Sequence, residues 1–209
     1  MTVMEHPTVY FVDDDEAVRD SFELLAETAG LQAESFESAL EFLEDFDPDR
    51  PGCLVVDLRM PGMSGLELQR TLNESGTELP VIVLSGHADV ASAVSAMKAG
   101  AVEFLQKPFD NAELLLKINA ALNRDNVLRE QRNERQSIAA RAETLTPRER
   151  EVMEGLVKGL SGKQIAAHLG ISYRTMEKFR ANVMKKMETD SLARLTRAAI
   201  AADLFVDSN

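Results

Sequence analysis

The sequence predicts an α/β protein in which a doubly wound, five-stranded parallel sheet is followed by a second, smaller all-α domain. Three observations support this fold class. Over about the first 120 residues, short apolar runs alternate with amphipathic helical patterns, which is typical of a parallel sheet covered by helices. After residue 143 the helical patterns continue with hardly any strand signal. Between these regions lies a polar segment that contains no Gly or Pro.

Five apolar runs predict the strands of the sheet. Three strong runs lie at Thr8–Val12, 53–56 and 80–84, and two weaker runs lie at Gln32–Phe36 and 102–106. Helical patterns accompany these strands at residues 16–29, 38–46, 64–75, 89–99 and 110–122. Ser38 with Glu41, and Asp110 with Glu113, have the spacing of a capping box and therefore mark helix starts. Gly30 stands where the first helix should end.

The C-terminal region carries the signals of a helix-turn-helix. Thr146 with Glu149, and Ser161 with Gln164, repeat the capping-box spacing and predict the starts of two helices. Gly-Ile-Ser at 170–172 predicts a tight turn into a longer helix that ends near Met187. Two short helices joined by such a turn are typical of DNA-binding domains.

These patterns divide the chain into a first domain at 1–122, a linker at 123–143 and a helix-turn-helix domain at 144–209. The linker is rich in Arg, Glu, Gln and Asn. Because helix breakers are absent, we predict that it is partly helical and continues the fifth helix. A solvated, disordered tether is nearly as well supported by the same composition.

Composition narrows the class of protein. With 44% hydrophobic and 28% charged residues, the chain should fold rather than remain disordered. No run approaches the roughly 18 apolar residues that a membrane span needs, and the first seven residues do not resemble a signal peptide. We therefore expect a cytoplasmic protein without a membrane partner. The single cysteine, Cys53, precedes an apolar run and is expected to be a small buried residue rather than a reactive thiol.

The net charge of −12 is distributed unevenly. Residues 1–124 contain 23 acidic and 8 basic side chains, a net charge of −15. Residues 144–202 contain 6 acidic and 11 basic side chains, a net charge of +5. The C-terminal domain can therefore bind a polyanion such as DNA, whereas the N-terminal domain cannot.

Four predicted strands end in residues suited to phosphoryl chemistry. Asp13 and Asp14 follow the first strand, Asp57 ends the third, Ser85 the fourth, and Lys107 the fifth. In a sheet of order 2-1-3-4-5, the first and third strands are neighbours at the switch point where doubly wound folds bind ligands. Three clustered carboxylates repel one another unless a cation joins them, and Mg²⁺ suits hard oxygen ligands. We therefore predict a magnesium site at which Asp57 attacks a phosphoryl group as a nucleophile.

Taken singly, these residues have an ordinary interpretation, because acidic clusters at strand ends are commonly solvated loops. A magnesium-dependent phosphatase with an aspartyl nucleophile is the enzymatic alternative. Such an enzyme needs a general acid near the nucleophile and a substrate cap, but Leu58 and Arg59 follow Asp57 and no cap segment is recognisable. We therefore expect no enzyme beyond the domain's own phosphoryl transfer and dephosphorylation. An interaction module that works without phosphorylation is a third possibility, which the complete residue set disfavours.

The long helix of the C-terminal domain has two faces. Its apolar stripe consists of Met176, Phe179, Val183 and Met187. Its opposite face carries Arg174, Lys178, Ala181 and Lys185, with Glu177 at the edge. This arrangement fits a recognition helix in the major groove of double-stranded DNA, and a solvated surface helix is the alternative. Candidate phosphate contacts are Lys163, Arg174, Lys178, Arg180 and Lys185.

Several of these segments resemble a known family. Val-Asp-Asp-Asp at 12–15, Asp-Leu-Arg-Met-Pro-Gly-Met-Ser-Gly at 57–65, Ser-Gly-His at 85–87 and Lys-Pro-Phe at 107–109 resemble the receiver of two-component response regulators, particularly the FixJ type. Leu-Thr-Pro-Arg-Glu-Arg-Glu-Val at 145–152 resembles the LuxR/NarL-type DNA-binding domain. The resemblance covers the whole chain and implies a flavodoxin-like receiver fold.

The resemblance also implies roles for individual residues. Asp57 is implied to be the phosphoacceptor, Asp13 and Asp14 to be acidic residues of the Mg²⁺ site, and the backbone carbonyl of Arg59 to be a further metal ligand. Ser85 and Lys107 are implied to contact the phosphoryl group.

The family also has an aromatic switch position, which Phe104 occupies, although an ordinary core aromatic is the alternative. A sensor histidine kinase is the implied phosphate source. The fourth helix and fifth strand are implied to form a homodimer on phosphorylation, and RNA polymerase is a further expected partner. We expect the dimer face to include Val90, Val94, Met97 and Phe104.

In related DNA-binding domains, the positions of Glu177, Lys178 and Ala181 touch base edges, and Thr175 is a further candidate DNA contact. An acid at position 177 can accept a hydrogen bond from cytosine N4. The family frequently has His at position 179 and Val at 176, where this chain has Phe and Met. Because both positions remain apolar, these departures put local phosphate contacts in doubt and leave the fold unaffected.

Overall fold

The computed structural model describes residues 6–86 and 90–205. The chain divides into two compact units, Met1–Arg129 and Glu130–Asn209. Among the residues that are described, no helix is both long and apolar enough to cross a membrane.

The N-terminal unit is a five-stranded sheet surrounded by helices. In chain order its elements are β1 (Thr8–Val12), α1 (Glu16–Ala29), β2 (Gln32–Phe36), α2 (Ala39–Asp45), β3 (Gly52–Asp57), α3 (Gly65–Glu74), β4 (Val81–Ser85), α4 (Val90–Lys98), β5 (Glu103–Gln106) and α5 (Asn111–Glu143), whose last turns belong to the second unit. All neighbouring strands are parallel, and their order is 2-1-3-4-5. The predicted fold class is confirmed.

The central strands are buried on both faces, which explains their continuous apolar sequences. Alternate residues of β1 point to opposite sides, so that Tyr10 and Val12 join one core cluster and Val9 and Phe11 join the other. Cys53 lies fully buried in the second of these clusters, and burial raises the pKa of its thiol. The prediction that Cys53 is a buried residue is confirmed.

α5 is much longer than the helical pattern at 110–122, because it continues through the polar residues to Glu143. Side chains of this extension bind the loop before β3. The Asp125 carboxylate, 3% exposed, accepts a hydrogen bond from the Gly52 N–H at 2.9 Å and one from Arg129 Nε at 2.7 Å. The Arg129 guanidinium also donates to the carbonyl oxygens of Pro48, Asp49 and Arg50 at 3.1, 2.8 and 2.5 Å. We call this pair, Asp125 and Arg129, the α5 clasp.

The C-terminal unit is a helical bundle in which α6 (Pro147–Val157), α7 (Gly162–Leu169), α8 (Tyr173–Lys186) and α9 (Leu192–Ala201) follow the end of α5. Complete capping boxes start α6 and α7, and Ser172 caps α8, as the sequence predicts. Ile138 and Ala142 of α5 are buried in the core of this unit. Arg141, between them, donates to the carbonyl oxygen of Met187 at 3.2 Å and so helps to cap the C-terminus of α8.

Candidate functional site

Parallel strands bring the predicted pocket residues to one edge of the sheet. Asp13 follows β1, Asp57 ends β3, and Lys107 follows β5. Lys107 Nζ lies 2.5 Å from Asp13 Oδ2 and 2.6 Å from Asp57 Oδ1, so one ammonium bridges two carboxylates. These three residues are 44 or more positions apart in the sequence, and the strand order alone makes them neighbours. The Lys107–Pro108 peptide bond that follows is cis.

The electrostatics of this pocket follow from its burial. Asp13 is 1% exposed and Asp57 is 8% exposed. Burial raises the pKa of Asp13, although the hydrogen bond from Lys107 acts in the opposite direction. Burial by itself would lower the pKa of Lys107, but the hydrogen bonds to Asp13 and Asp57 outweigh that effect and raise it. The pocket therefore holds a charged lysine shared by two acids.

The remaining predicted pocket residues differ in their placement. Ser85 is buried at the end of β4, and its carbonyl oxygen accepts a hydrogen bond from the Lys107 N–H at 2.8 Å. The Arg59 N–H donates to Asp57 Oδ2 at 2.7 Å, which orients the carboxylate. Asp14 is exposed. Within 6–86 and 90–205, no three or more His, Cys, Asp or Glu residues form a group that could hold a metal ion. His87, the last residue of the Ser-Gly-His segment at 85–87, lies outside the described residues.

Helix α4 and strand β5 carry apolar side chains that are exposed or half-buried. On α4, Val90, Val94 and Met97 are 80%, 45% and 50% exposed. Phe104 on β5 is half-buried and packs against the core cluster that contains Tyr10. Its side chain therefore contacts the core of the N-terminal unit without being fully enclosed by it.

α8 has the two faces that the sequence predicts. Met176 and Val183 are fully buried, Met187 is nearly so, and Phe179 packs against the same core while half-buried. On the other side, exposed residues are Arg174, Lys178, Ala181 and Lys185. The helix is thereby anchored by one face and presents a cationic face to solvent.

Other candidate DNA contacts lie around this face. Lys163 is exposed near the start of α7. The Thr175 hydroxyl lies 2.8 Å from the hydroxyl of Ser172, the α8 N-cap. Glu177 and Arg180 form an ion pair at 3.6 Å, and both side chains are about 40% exposed. Arg180 is therefore already balanced by an acid on its own helix.

A partly buried ion pair, which no sequence pattern indicated, joins α8 to the start of α6. The Glu149 carboxylate, 4% exposed, accepts hydrogen bonds from the Thr146 N–H at 2.9 Å and from Lys186 Nζ at 2.6 Å. The capping-box spacing indicated Glu149 as a helix cap, but no local signal indicates a partner 37 residues later.

The Glu149 pair predicts a specific pH dependence. Burial would raise the pKa of Glu149, but hydrogen bonds from Lys186 and Thr146 outweigh it and lower the pKa from 4.5 to about 2. Because the folded pKa lies below the ordinary value, the ionised carboxylate stabilises the fold above pH 4.5. That stabilisation is lost as the pH falls from about 4.5 to about 2.

We expect the Glu149 carboxyl carbon to titrate near pH 2 when it is followed by NMR. Glu149→Gln should destabilise this unit at pH 7 and flatten its stability profile between pH 4.5 and 2. Glu154→Gln, at a more exposed ion pair on the same helix, is the matched control. A Glu149 midpoint near 4.5 would contradict this account.

Two protein families match the chain in sequence. Residues 9–119 match the response regulator receiver domain family. Residues 143–199 match the luxR family of bacterial regulatory proteins. The transcriptional regulatory protein FixJ of Azorhizobium caulinodans is 48% identical over 194 residues, covering 93% of this chain and 92% of that protein. FixJ of Bradyrhizobium diazoefficiens is 44% identical over 207 residues, covering 99% and 100% respectively.

Solved structures agree with these relatives. The low-resolution structure of response regulator StyR has a TM-score of 0.82 at 41% identity, covering 93% of this chain and 98% of that one. Full-length FixJ from B. japonicum has a TM-score of 0.57 at 42% identity, covering 96% and 98%. Because both families match in order and the relatives align over nearly the whole chain, this protein belongs to the FixJ-type two-component response regulators, transcription regulators with a receiver and a LuxR-type DNA-binding domain.

Proposed function

We propose that phosphorylation of Asp57 by a partner sensor histidine kinase switches this regulator into a dimer that binds a specific DNA sequence. The observation that carries the proposal is the Lys107 ammonium held between the carboxylates of Asp13 and Asp57. In the reaction, an Asp57 oxygen attacks phosphorus while the bond from phosphorus to the kinase imidazole nitrogen breaks. Lys107 then has a phosphoryl oxygen to bind in place of a carboxylate.

The donor set of the pocket fits a magnesium ion. Two carboxylates already converge on one positive charge, and hard oxygen donors are what Mg²⁺ prefers. We propose that Asp13, Asp14, Asp57 and the Arg59 carbonyl oxygen would hold the ion. When bound, it would offset the negative charge of the incoming phosphoryl group.

Ser85 and Lys107 are the proposed contacts of the phosphorylated state. Several charge-assisted hydrogen bonds are needed, because moving a two-state domain from almost all inactive to almost all active takes about 5.5 kcal/mol. Phe104, half-buried on β5 and paired with Val83 of β4, is the proposed aromatic switch that senses the movement of Ser85.

We propose that α4 and β5 form the dimer interface. Val90, Val94 and Met97 support this assignment because they expose apolar surface on one helix. Treatment with an acyl phosphate and Mg²⁺ should therefore increase the sedimentation coefficient at micromolar protein. Unchanged sedimentation, with phosphorylation verified by mass, would reject the interface.

The proposed DNA interface is the cationic face of α8. Glu177, Lys178 and Ala181 would contact base edges, and the surrounding cations and Thr175 would contact the backbone. RNA polymerase and the sensor kinase are the proposed protein partners. Because DNA is the target, we propose the cytoplasm as the compartment.

Selection of DNA from a random pool tests the whole proposal. The full chain is incubated with or without a small phosphodonor and Mg²⁺, and the bound sequences are determined. We expect one recurring sequence motif that is enriched more strongly after treatment. Enrichment that is equal in both samples would contradict a phosphorylation switch, and enrichment of no motif would contradict specific DNA binding.

Substituting Lys185→Ala tests the phosphate contacts of α8. We expect weaker binding to all sequences and a slope of log affinity against log salt that is shallower by about 1, because one phosphate contact is lost. Binding is measured by fluorescence anisotropy from low to moderate salt. Lys158→Ala, which removes the same charge at the C-cap of α6, where Lys158 pairs with Glu154, should leave the slope unchanged. Equal slopes for the two variants would show that Lys185 does not contact a DNA phosphate.

A further inference from the structure

The turn between β1 and α1 carries the two consecutive acids of the pocket, which are held very differently. The N–H of Asp13 donates to the Phe36 carbonyl oxygen at 3.3 Å, and its Oδ1 accepts from the Asp15 N–H at 3.1 Å. Its Oδ2 accepts from Lys107. The Asp14 side chain is exposed and makes no hydrogen bond or ion pair with any other described residue. Asp13 is therefore fixed through its own side chain, whereas Asp14 depends on its backbone.

The Arg19 side chain hydrogen-bonds to the backbone of this turn. Its Nη1 donates to the carbonyl oxygen of Asp13 at 2.8 Å, and the side chain is half-buried. This oxygen belongs to the peptide group that joins Asp13 to Asp14. Because the peptide group is planar, holding its oxygen also restricts the nitrogen and Cα of Asp14. The hydrogen bond from Arg19 thus constrains the position of the Asp14 Cα, to which the side chain is attached.

Helix capping does not account for this contact. Asp15 already caps α1, because its side chain accepts from the Ala17 N–H at 2.9 Å. Its carbonyl oxygen also accepts from the N–H groups of Val18 and Arg19, both at 3.1 Å. The Arg19 side chain instead bends back past the helix start to the acidic turn. It brings a permanent cation to a run of four acids at 13–16.

We propose that Arg19 is a positioning residue that holds the Asp13–Asp14 peptide so that the Asp14 carboxylate can reach the divalent cation. This inference rests on the proposed function, in which Asp14 is a magnesium ligand. Residues that orient metal ligands typically change metal affinity about 10- to 100-fold when they are replaced.

The test is a magnesium titration of the full, unphosphorylated chain, followed by amide NMR shifts of the β1–α1 turn. Arg19→Met keeps the aliphatic stem and removes the donors. We expect it to raise the Kd for Mg²⁺ about 10-fold while leaving the thermal midpoint unchanged. Arg19→Lys, which keeps the charge and one donor, should recover most of the affinity. Arg70→Met, an exposed arginine on α3, is the control for net charge.

A double-mutant cycle with Asp14→Ala separates positioning from a general effect on the fold. In the Asp14→Ala background, Arg19→Met should add no further loss of magnesium affinity. An additive loss, or wild-type affinity in Arg19→Met alone, would overturn the inference and leave the proposed function standing. If the wild-type chain showed no magnesium-dependent shifts, the proposed magnesium site and this inference would both be rejected.

Discussion

Replacing Asp57 with Asn should abolish the response to phosphodonor while leaving the fold and basal DNA binding in place. The amide keeps the shape of the side chain, but it cannot accept the phosphoryl group as a carboxylate does. Treatment of the wild-type chain should raise DNA affinity by roughly 5- to 150-fold, the usual range for coupling between two sites. For Asp57→Asn we expect no added mass on treatment and no change in affinity. Intact-protein mass spectrometry and fluorescence anisotropy measure the two effects.

Asp20→Asn is the matched control, because it makes the same chemical change at an exposed position on α1. It should be phosphorylated and respond like the wild type. If Asp57→Asn still gained DNA affinity on treatment, the switch would act through another group and the pocket assignment would be wrong. If the wild type gained the added mass without gaining affinity, phosphorylation would occur but would not control DNA binding.

Breaking the α5 clasp should strongly destabilise the receiver. Arg129→Met leaves the buried Asp125 carboxylate with only the Gly52 N–H, and it removes three hydrogen bonds to the loop carbonyls at 48–50. Removing one partner of a buried ion pair leaves an uncompensated charge, so we expect a loss of about 3 kcal/mol in the free energy of unfolding. We therefore propose that residues 123–129 are part of the folded receiver, beyond the domain limit of 122 expected from the sequence.

Urea denaturation of the full chain measures this loss. Tyr10, 1% exposed in the receiver core, is a local reporter once Tyr173, the only other tyrosine, is replaced by Phe. Arg132→Met changes the same residue type three positions further along α5, where the side chain bonds to no other residue within 6–86 and 90–205, and should alter stability by less than about 0.5 kcal/mol. Equal stability of the Arg129 and Arg132 variants would show that the clasp contributes nothing. In that case the receiver would end before the clasp.

The sequence could predict the pocket because each pocket residue is marked by a local pattern. The parallel sheet then brings these residues together. Each of Asp13, Asp57, Ser85 and Lys107 stands at the end of an apolar run, and parallel strands end at one edge. The same locality explains the two faces of α8, because helical periodicity alone separates Met176 and Val183 from Lys178 and Lys185.

The absence of helix breakers at 123–143 favoured a fifth helix that continues into this segment, but the same composition supported a disordered tether, so the full length of α5 was not predictable. Residues 123–143 show no apolar stripe, so the periodic signal stops at about 122 although the helix continues to Glu143. This extension is held by contacts of individual side chains, such as Arg129 with the loop at 48–50 and Ile138 with the C-terminal core. Local sequence patterns cannot indicate contacts between residues that lie about 80 positions apart.

The sequence by itself determined the fold class, the strand ends that carry the pocket residues and the helix with a cationic face, because each depends on short-range periodicity and capping. Only the tertiary structure decided which charges meet. It places Lys107 between Asp13 and Asp57, Arg19 on the Asp13 carbonyl oxygen, and Lys186 against Glu149. Such contacts depend on the distances between folded elements, and electrostatic pairing is set by those distances and by burial rather than by position along the chain.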